Sequence, residues 1–204
     1  MSGSETVQPD AMPGYRLPVY AYETPADLVS GAEPIHPVVV VGGGLAGLSS
    51  GLMLGQRGID VVILDEDDTV GAAGLSSRGI CYAKRTLEIC DRLGLGPRLM
   101  AKGITWNEGR VYLNTHEIYQ FNLLPERDQK FPAFINLQQF YVEEYLVDAI
   151  AQEPRVELRW KHRVTGVEVL ADHVAVRVET PDGAYTVRGR YLLACDGGRS
   201  TVRE

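Results

Sequence analysis

A glycine-rich segment and a carboxylate that follows it could together bind a dinucleotide. Gly42, Gly44 and Gly47 have the spacing G-x-G-x-x-G, and Asp65 lies 18 residues after Gly47. In such a motif the first glycine permits a sharp turn, the second lets a pyrophosphate approach the backbone, and the third lets a helix pack closely on a strand. An acidic residue roughly 20 positions later hydrogen-bonds the adenosine ribose, so Asp65 is the candidate for that contact.

These residues act together only if a strand, a turn, a helix and a second strand position them. Residues 38–41 are four valines, leucines recur at helical spacing after the glycines, and 61–64 form a second apolar run that ends at Asp65. The pattern predicts a βαβ unit. The N–H groups of Leu45 and Ala46, at the start of the predicted helix, would face the phosphates. A plain glycine-rich turn is the alternative interpretation.

The composition is that of an ordinary globular chain. It has 204 residues, of which 45% are hydrophobic and 23% charged, and its net charge of −7 gives no electrostatic support for a nucleic-acid partner. No apolar run approaches the roughly 18 residues that a membrane span needs, and no basic segment followed by an apolar one indicates a signal peptide. The three cysteines form no C-x-x-C motif, so we expect reduced thiols and a cytoplasmic protein.

Residues 1–34 differ from the rest of the chain. They contain five prolines, and five acidic residues against the single Arg16, which predicts a proline-rich acidic arm that is extended and disordered at its start. Pro37 would open the first strand of the domain that follows, at 35–204. The side chains that could anchor the later part of the arm on this domain are Tyr15, Leu17, Val19, Tyr20, Tyr22 and Leu28.

The remainder predicts an α/β fold with more than one sheet. Three strand-like segments joined by short turns predict a three-stranded antiparallel β-meander that covers one face of a parallel sheet. The alternating segment 103–123 would belong to a different sheet, and the run 191–195 would return to the parallel sheet and end at Asp196. The other predicted elements are helices at 83–93 (ended by Gly94) and 138–151, strands at 134–137 and 156–160 (the third parallel strand), and the meander strands 164–170, 174–179 and 185–191.

Four segments that occur in order carry a resemblance to a known family. They are the glycine turn, 77–89, 135–143 and 195–203, the last reading Cys-Asp-Gly-Gly-Arg-Ser-Thr-Val-Arg. Together they resemble the single-component FAD-dependent aromatic-ring hydroxylases, the group that contains p-hydroxybenzoate hydroxylase, and particularly its 3-(3-hydroxyphenyl)propionate hydroxylase-like members. The resemblance spans about 37–203. It implies a Rossmann-like FAD-binding domain, incomplete here, with 103–123 contributing strands to the beginning of a second, substrate-binding sheet.

The resemblance also implies further cofactor-binding residues. Arg78 would reach the flavin and its phosphates, Gln139 would lie near the flavin and its ribitol chain, and Asp196 would contact the ribitol. Gly197, which follows Asp196, would let the backbone approach the cofactor closely. Each has an alternative reading from the residues alone. Arg78 could be a surface arginine, Gln139 a polar residue at a helix start with Gln138 as the adjacent choice, and Asp196 part of an Asx turn.

Acidic residues after the second strand restrict which nucleotide can bind there. Residues 65–68 are all acidic and would repel a 2′-phosphate, so NADP is not expected in this βαβ unit. Glu66 and Val164 complete the set of candidate cofactor-binding residues. NAD(P)H would bind transiently elsewhere, as the family resemblance implies.

The resemblance implies an FAD-dependent monooxygenase. NAD(P)H would reduce FAD, and the reduced flavin with O2 would hydroxylate a small phenolic or other aromatic compound. We assign no catalytic residue and no metal site, because the histidines and cysteines lack ligand spacing, and nothing indicates the oligomeric state. The family's later flavin and substrate motifs do not occur within the 204 residues, so we expect an N-terminal fragment that alone binds FAD weakly and is inactive. A halogenase-like or reductase-like FAD oxidoreductase and a non-catalytic nucleotide-binding remnant are the alternatives.

Overall fold

The structure is a computed structural model that describes residues 17–71, 79–126 and 128–203. Helices and strands alternate along these residues to give a mixed α/β fold. The helices are α1 Ala26–Ser30, α2 Leu45–Gly55, α3 Lys84–Arg92, α4 Gly96–Lys102 and α5 Gln139–Ile150. The strands are β1 Ile35–Val41, β2 Val61–Leu64, β3 Cys81–Ala83, β4 Ile104–Trp106, β5 Glu108–Leu113, β6 His116–Asn122, β7 Phe134–Asn136, β8 Val156–Arg159, β9 Arg163–Val169, β10 Val174–Thr180 and β11 Gly183–Ala194.

The central sheet has six strands in the order β8-β2-β1-β11-β10-β9. β1 pairs in parallel with both β2 and β11, and β2 pairs in parallel with β8. The last four residues of β1 and all four of β2 are buried, as expected of parallel strands that are covered on both faces. The predicted βαβ unit and third parallel strand are confirmed. Pro37 does not open β1, which begins at Ile35, but lies just before pairing with β2 begins at Val38.

Strands β9, β10 and β11 form the predicted antiparallel meander. β11 has 12 residues. It pairs first with β10, and its later residues, 188–194, pair in parallel with β1. The meander is therefore hydrogen-bonded to the parallel sheet and also folds over it, covering one face as predicted. The valines Val176, Val178 and Val187 share a buried cluster with Val39, Val62 and Leu64 of the parallel strands.

Helices α2 and α5 pack on the other face of the parallel sheet. Leu48 and Leu52 of α2 and Leu146 of α5 are almost completely buried, and they share one cluster with Val40 and Ile63 of the sheet. Residues four apart lie on the same face of a helix, so the leucine spacing that predicts α2 also predicts its buried face. Because α2 begins directly after the glycine turn, this packing fixes the position of the turn.

The alternating segment 103–123 divides between two smaller sheets. β4 joins β3 and β7 in a three-stranded antiparallel sheet, whereas β5 and β6 form a separate hairpin. The prediction that this segment lies outside the parallel sheet is confirmed. The predicted helices at 83–93 and 138–151 are present as α3 and α5, and Gly94 follows α3 with a φ of 85°.

The described part of the arm packs against the domain. Tyr20 stacks on Trp160 with the ring centroids 4.6 Å apart. Nη1 of Arg159 donates to Oδ2 of Asp27 at 2.7 Å, and both side chains are buried. The arm is therefore attached to the end of β8, 132 residues away in the chain.

Two features of the arm differ from the prediction. Residues 26–30 form α1 rather than extended chain, and Val19 is 75% exposed, so Val19 does not anchor the arm. The predicted disordered start and Tyr15 fall within residues 1–16, which lie outside the described residues.

Candidate functional site

The first glycine of the motif is required by its conformation and by its surroundings. Gly42 has a φ of +103°, and a Cβ added there would lie 2.4 Å from the carbonyl oxygen of Cys195. Its N–H donates to the carbonyl oxygen of Leu64 at 2.8 Å. The turn is thus held between the end of β2 and the end of β11, and no other residue type fits at Gly42.

The second and third glycines have opposite surroundings. A Cβ added at Gly44 would meet nothing within 4 Å, so the backbone here is accessible to a ligand. Gly44 is the N-cap residue of α2, and the first N–H groups of a helix, here those of Leu45 and Ala46, have no partner within it. A Cβ added at Gly47 would lie 1.8 Å from the carbonyl oxygen of Gly42. Gly47 therefore packs beneath the turn.

Asp65 faces the glycine turn from the end of β2. Its Oδ2 accepts a hydrogen bond from the N–H of Gly43, and its Oδ1 accepts one from the N–H of Asp67 at 2.9 Å. Burial raises the pKa of Asp65 to about 6, although these two N–H groups act to lower it. The Asp65 carboxylate therefore accepts hydrogen bonds both from the glycine turn and from the acidic segment that follows β2.

Asp196 begins the turn that follows β11. Its Oδ2 accepts a hydrogen bond from the N–H of Val202 at 3.1 Å. Burial opposes ionisation of this carboxyl, but hydrogen bonds from the Val202 N–H and the Ser200 hydroxyl outweigh it and lower the pKa of Asp196. Gly197 follows with a φ of 75°, which turns the chain beside the opening of the cleft.

Helix α5 contributes two linked polar side chains. Nε2 of Gln139 donates to Oε1 of Glu143 at 2.6 Å, and Oε2 of Glu143 accepts from the N–H of Gly71 at 2.8 Å. Glu143 is only 3% exposed. Glu143 is not among the residues predicted from the sequence, although a charged residue four positions after Gln139 on a buried helix face was an available signal.

These elements enclose one cleft of about 330 Å³. Of the candidate residues, Gly47 is not in its lining, and Arg78 lies outside the described residues. The candidates that the structure brings together around the cleft are Gly42, Gly44, Leu45, Ala46, Asp65, Glu66, Gln139, Val164, Asp196 and Gly197.

The lining also contains residues that we did not predict, among them Glu143, Arg199, Thr201 and His162. His162 is 1% exposed, its Nδ1 lies 2.8 Å from the carbonyl oxygen of Trp160, and burial lowers its pKa. It is therefore a neutral core histidine at neutral pH.

Among residues 17–71, 79–126 and 128–203, no three or more His, Cys, Asp or Glu side chains are grouped so that they could hold a metal ion. In the same ranges, no helix has the length and apolar character needed to span a membrane.

Comparison with known proteins identifies the family. A family model described as the FAD binding domain matches residues 36–204. The chain belongs to this family. The match covers the FAD-binding domain from β1 onwards, so the predicted family resemblance and the Rossmann-like fold are confirmed.

The relatives of this FAD-binding domain include aromatic hydroxylases. Para-nitrophenol 4-monooxygenase from Pseudomonas sp. (strain WBC-3) is 33% identical over 175 residues, which are 84% of this chain and 42% of the relative. The 3-(3-hydroxy-phenyl)propionate/3-hydroxycinnamic acid hydroxylase from Mycobacterium sp. (strain JLS) is 32% identical over 167 residues, which are 81% of this chain and 28% of the relative. The chain thus spans less than half the length of these relatives.

A solved structure agrees with the relatives. The crystal structure of p-nitrophenol 4-monooxygenase PnpA from Pseudomonas putida DLL-E4 superposes with a TM-score of 0.78 at 32% identity. The superposition covers 84% of this chain and 43% of that one. The fold described above therefore also occurs in a p-nitrophenol 4-monooxygenase.

Proposed function

We propose that the whole protein is an FAD-dependent monooxygenase that hydroxylates a small phenolic or other aromatic compound with NAD(P)H and O2. This chain contributes the FAD-binding domain. The names of the relatives support the reaction class, since para-nitrophenol 4-monooxygenase and the 3-(3-hydroxy-phenyl)propionate hydroxylase both act on aromatic rings. The observation that carries the proposal is that the accessible glycine turn and the carboxylate of Asp65, which is hydrogen-bonded to the turn, line the same cleft.

The residues around the cleft fit the adenosine and diphosphate parts of FAD. The accessible backbone at Gly44 and the N–H groups of Leu45 and Ala46 would hold the diphosphate, because helix N-termini attract anions. Asp65 would accept hydrogen bonds from the adenosine ribose, with Glu66 beside it. Other candidates would complete the site: Val164 in the wall and Arg78, Gln139, Asp196 and Gly197 towards the flavin.

The charge of the cleft supports FAD over a 2′-phosphorylated nucleotide. Asp65, Glu66 and Asp67 all line the cleft at the ribose end, where they would repel an additional phosphate. NADH or NADPH would therefore act as a transient co-substrate that binds elsewhere in the whole protein.

Bound FAD would supply the redox chemistry and the reaction with O2. The residues of this chain would bind the cofactor, fix its orientation and exclude water from its buried side. We assign none of the described residues as a general acid or base.

The test is to isolate the whole protein with FAD and to supply NADH or NADPH together with phenols. We expect oxidation of the reduced nucleotide to depend on a phenol and to yield a product heavier by one oxygen atom. Oxidation without an oxygenated product would favour a reductase, and failure to bind FAD would favour a nucleotide-binding remnant. The 204-residue chain alone is expected to bind FAD weakly and to give no product.

A further inference from the structure

Glu143 is a buried carboxylate that the cofactor contacts proposed above leave without a role. It lies in the wall of the cleft with only 3% of its surface exposed. Burying a carboxylate is costly unless hydrogen bonds compensate for the loss of water. Glu143 accepts one hydrogen bond from Gln139 on its own helix and another from the N–H of Gly71.

The bond to Gln139 fixes the direction of the Gln139 amide. An ionised carboxylate only accepts hydrogen bonds, so the amide must turn its NH2 group towards Glu143. Gln139 lines the cleft, and its Oε1 lies near Gly79, where a Cβ added to that glycine would be 3.3 Å from it. An amide that could otherwise present either end is thereby held with its acceptor on one side.

The bond to Gly71 connects α5 to a second part of the site. Gly71 lines the cleft and immediately precedes 72–78, the segment that contains the candidate Arg78. One carboxylate thus bridges the start of α5 and the chain that leaves the β2 end of the cleft. A charge-assisted hydrogen bond is stronger than a neutral one, which suits a group that must hold two elements together.

We propose that Glu143 is a positioning residue for the cofactor. It holds Gln139 with Oε1 as a hydrogen-bond acceptor for a hydroxyl of the ribityl chain of FAD, and it holds the Gly71 backbone in place beside the cleft. This inference rests on the proposed function, since it concerns the FAD that the domain would bind.

A double-mutant cycle on the FAD dissociation constant tests the inference in the whole protein. The variants are Glu143→Gln, Gln139→Ala and the double variant, with Glu144→Gln as a matched control on the next helix position. We expect Glu143→Gln to weaken FAD binding about fivefold, as for loss of one hydrogen bond. In the Gln139→Ala background the same change should have less than a twofold effect, and Glu144→Gln should also stay within twofold.

Each result separates positioning from a structural role. Equal weakening by Glu143→Gln in both backgrounds, or a lower melting temperature with unchanged FAD affinity, would overturn the positioning role and leave the proposed function intact. Absence of FAD binding by the unsubstituted protein would instead overturn the proposed function.

A measurement without substitution covers the case in which Glu143→Gln fails to fold. The Nε2 protons of Gln139, observed by NMR in the unsubstituted protein, should exchange slowly with water because Nε2 donates to the buried Glu143. Fast exchange of these protons would overturn the inference.

Discussion

At the residue scale, the three motif glycines have separable tasks. The local sequence was enough to predict these tasks, because a turn, an open backbone and a close helix contact depend on neighbours in the chain. Gly42 and Gly47 fit against backbone atoms, whereas Gly44 faces open space. Substitutions by alanine should therefore separate folding from cofactor binding.

We predict that Gly44→Ala leaves the melting temperature within about 2 °C but lowers FAD affinity at least about tenfold, because the new methyl group occupies the space of the diphosphate. Gly47→Ala is the matched control. Its methyl group meets the Gly42 carbonyl oxygen, so it should destabilise the fold by roughly 1–3 kcal/mol, as overpacking does. Thermal unfolding and FAD titration check both, and equal effects on stability would contradict the assignment.

The raised pKa of Asp65 predicts a pH dependence of FAD binding. A ribose hydroxyl donates to the ionised carboxylate, so protonation of Asp65 opposes binding. Affinity should fall as the pH decreases through about 6, approaching tenfold per pH unit below that value. The raised pKa of Asp65 affects folding stability in the opposite direction. Protonated Asp65 stabilises the folded state relative to the unfolded one; this stabilisation is fully present below pH 3.8 and is lost as the pH rises through about 6.

Titration of FAD binding between pH 5 and 8 measures this dependence. Asp65→Asn should bind FAD more weakly at pH 7 and show a flat profile over that range. An unchanged slope in Asp65→Asn would assign the pH dependence to another group.

At the element scale, local sequence patterns were enough to predict the helices and strands, whereas contacts between segments distant in the chain could not be predicted. The leucine spacing of α2 and the valines of β1 carry their own periodicity. The pairing of Asp27 with Arg159 joins residues 132 positions apart, and no spacing rule links them. The same holds for Glu143, whose bond to Gly71 depends on how α5 packs against the end of β2.

The ion pair of Asp27 with Arg159 should anchor the arm energetically. We predict that Asp27→Ala lowers the free energy of unfolding by about 1–3 kcal/mol, because it removes one partner of a buried charge. The decrease in unfolding free energy should be smaller than for a buried charge left with no partner, since Arg159 keeps its hydrogen bonds to Glu157. Asp60→Ala, at the exposed pair with Arg155, is the control and should cost less than about 1 kcal/mol. Urea unfolding compares them, and equal losses would contradict a stabilising arm.

At the scale of the whole molecule, the cleft forms where the ends of β1, β2 and β11 meet the start of α2 and α5. Parallel strands direct their carboxyl ends to one edge of the sheet, and ligands bind at that edge. The position of the site could therefore be predicted from the glycine turn and the strand order. The presence of His162 and Glu143 in its lining could not be predicted, because the burial of these side chains depends on how the arm and α5 pack.

Because FAD would contact several of these elements at once, it should stabilise the fold as a unit. At 100 times its dissociation constant, FAD is expected to add about 2.7 kcal/mol and to raise the melting temperature by roughly 5–10 °C. Gly44→Ala, measured at the same FAD concentration, should show a much smaller rise. A melting temperature that FAD leaves unchanged in the unsubstituted protein would contradict binding at this cleft.

An experimental structure of the protein with FAD bound would test this placement of the cofactor most directly. We expect the diphosphate within hydrogen-bond distance of the N–H groups of Leu45 and Ala46, and the adenosine ribose hydrogen-bonded to the carboxylate of Asp65. A diphosphate bound elsewhere, or a ribose with no contact to Asp65, would contradict it.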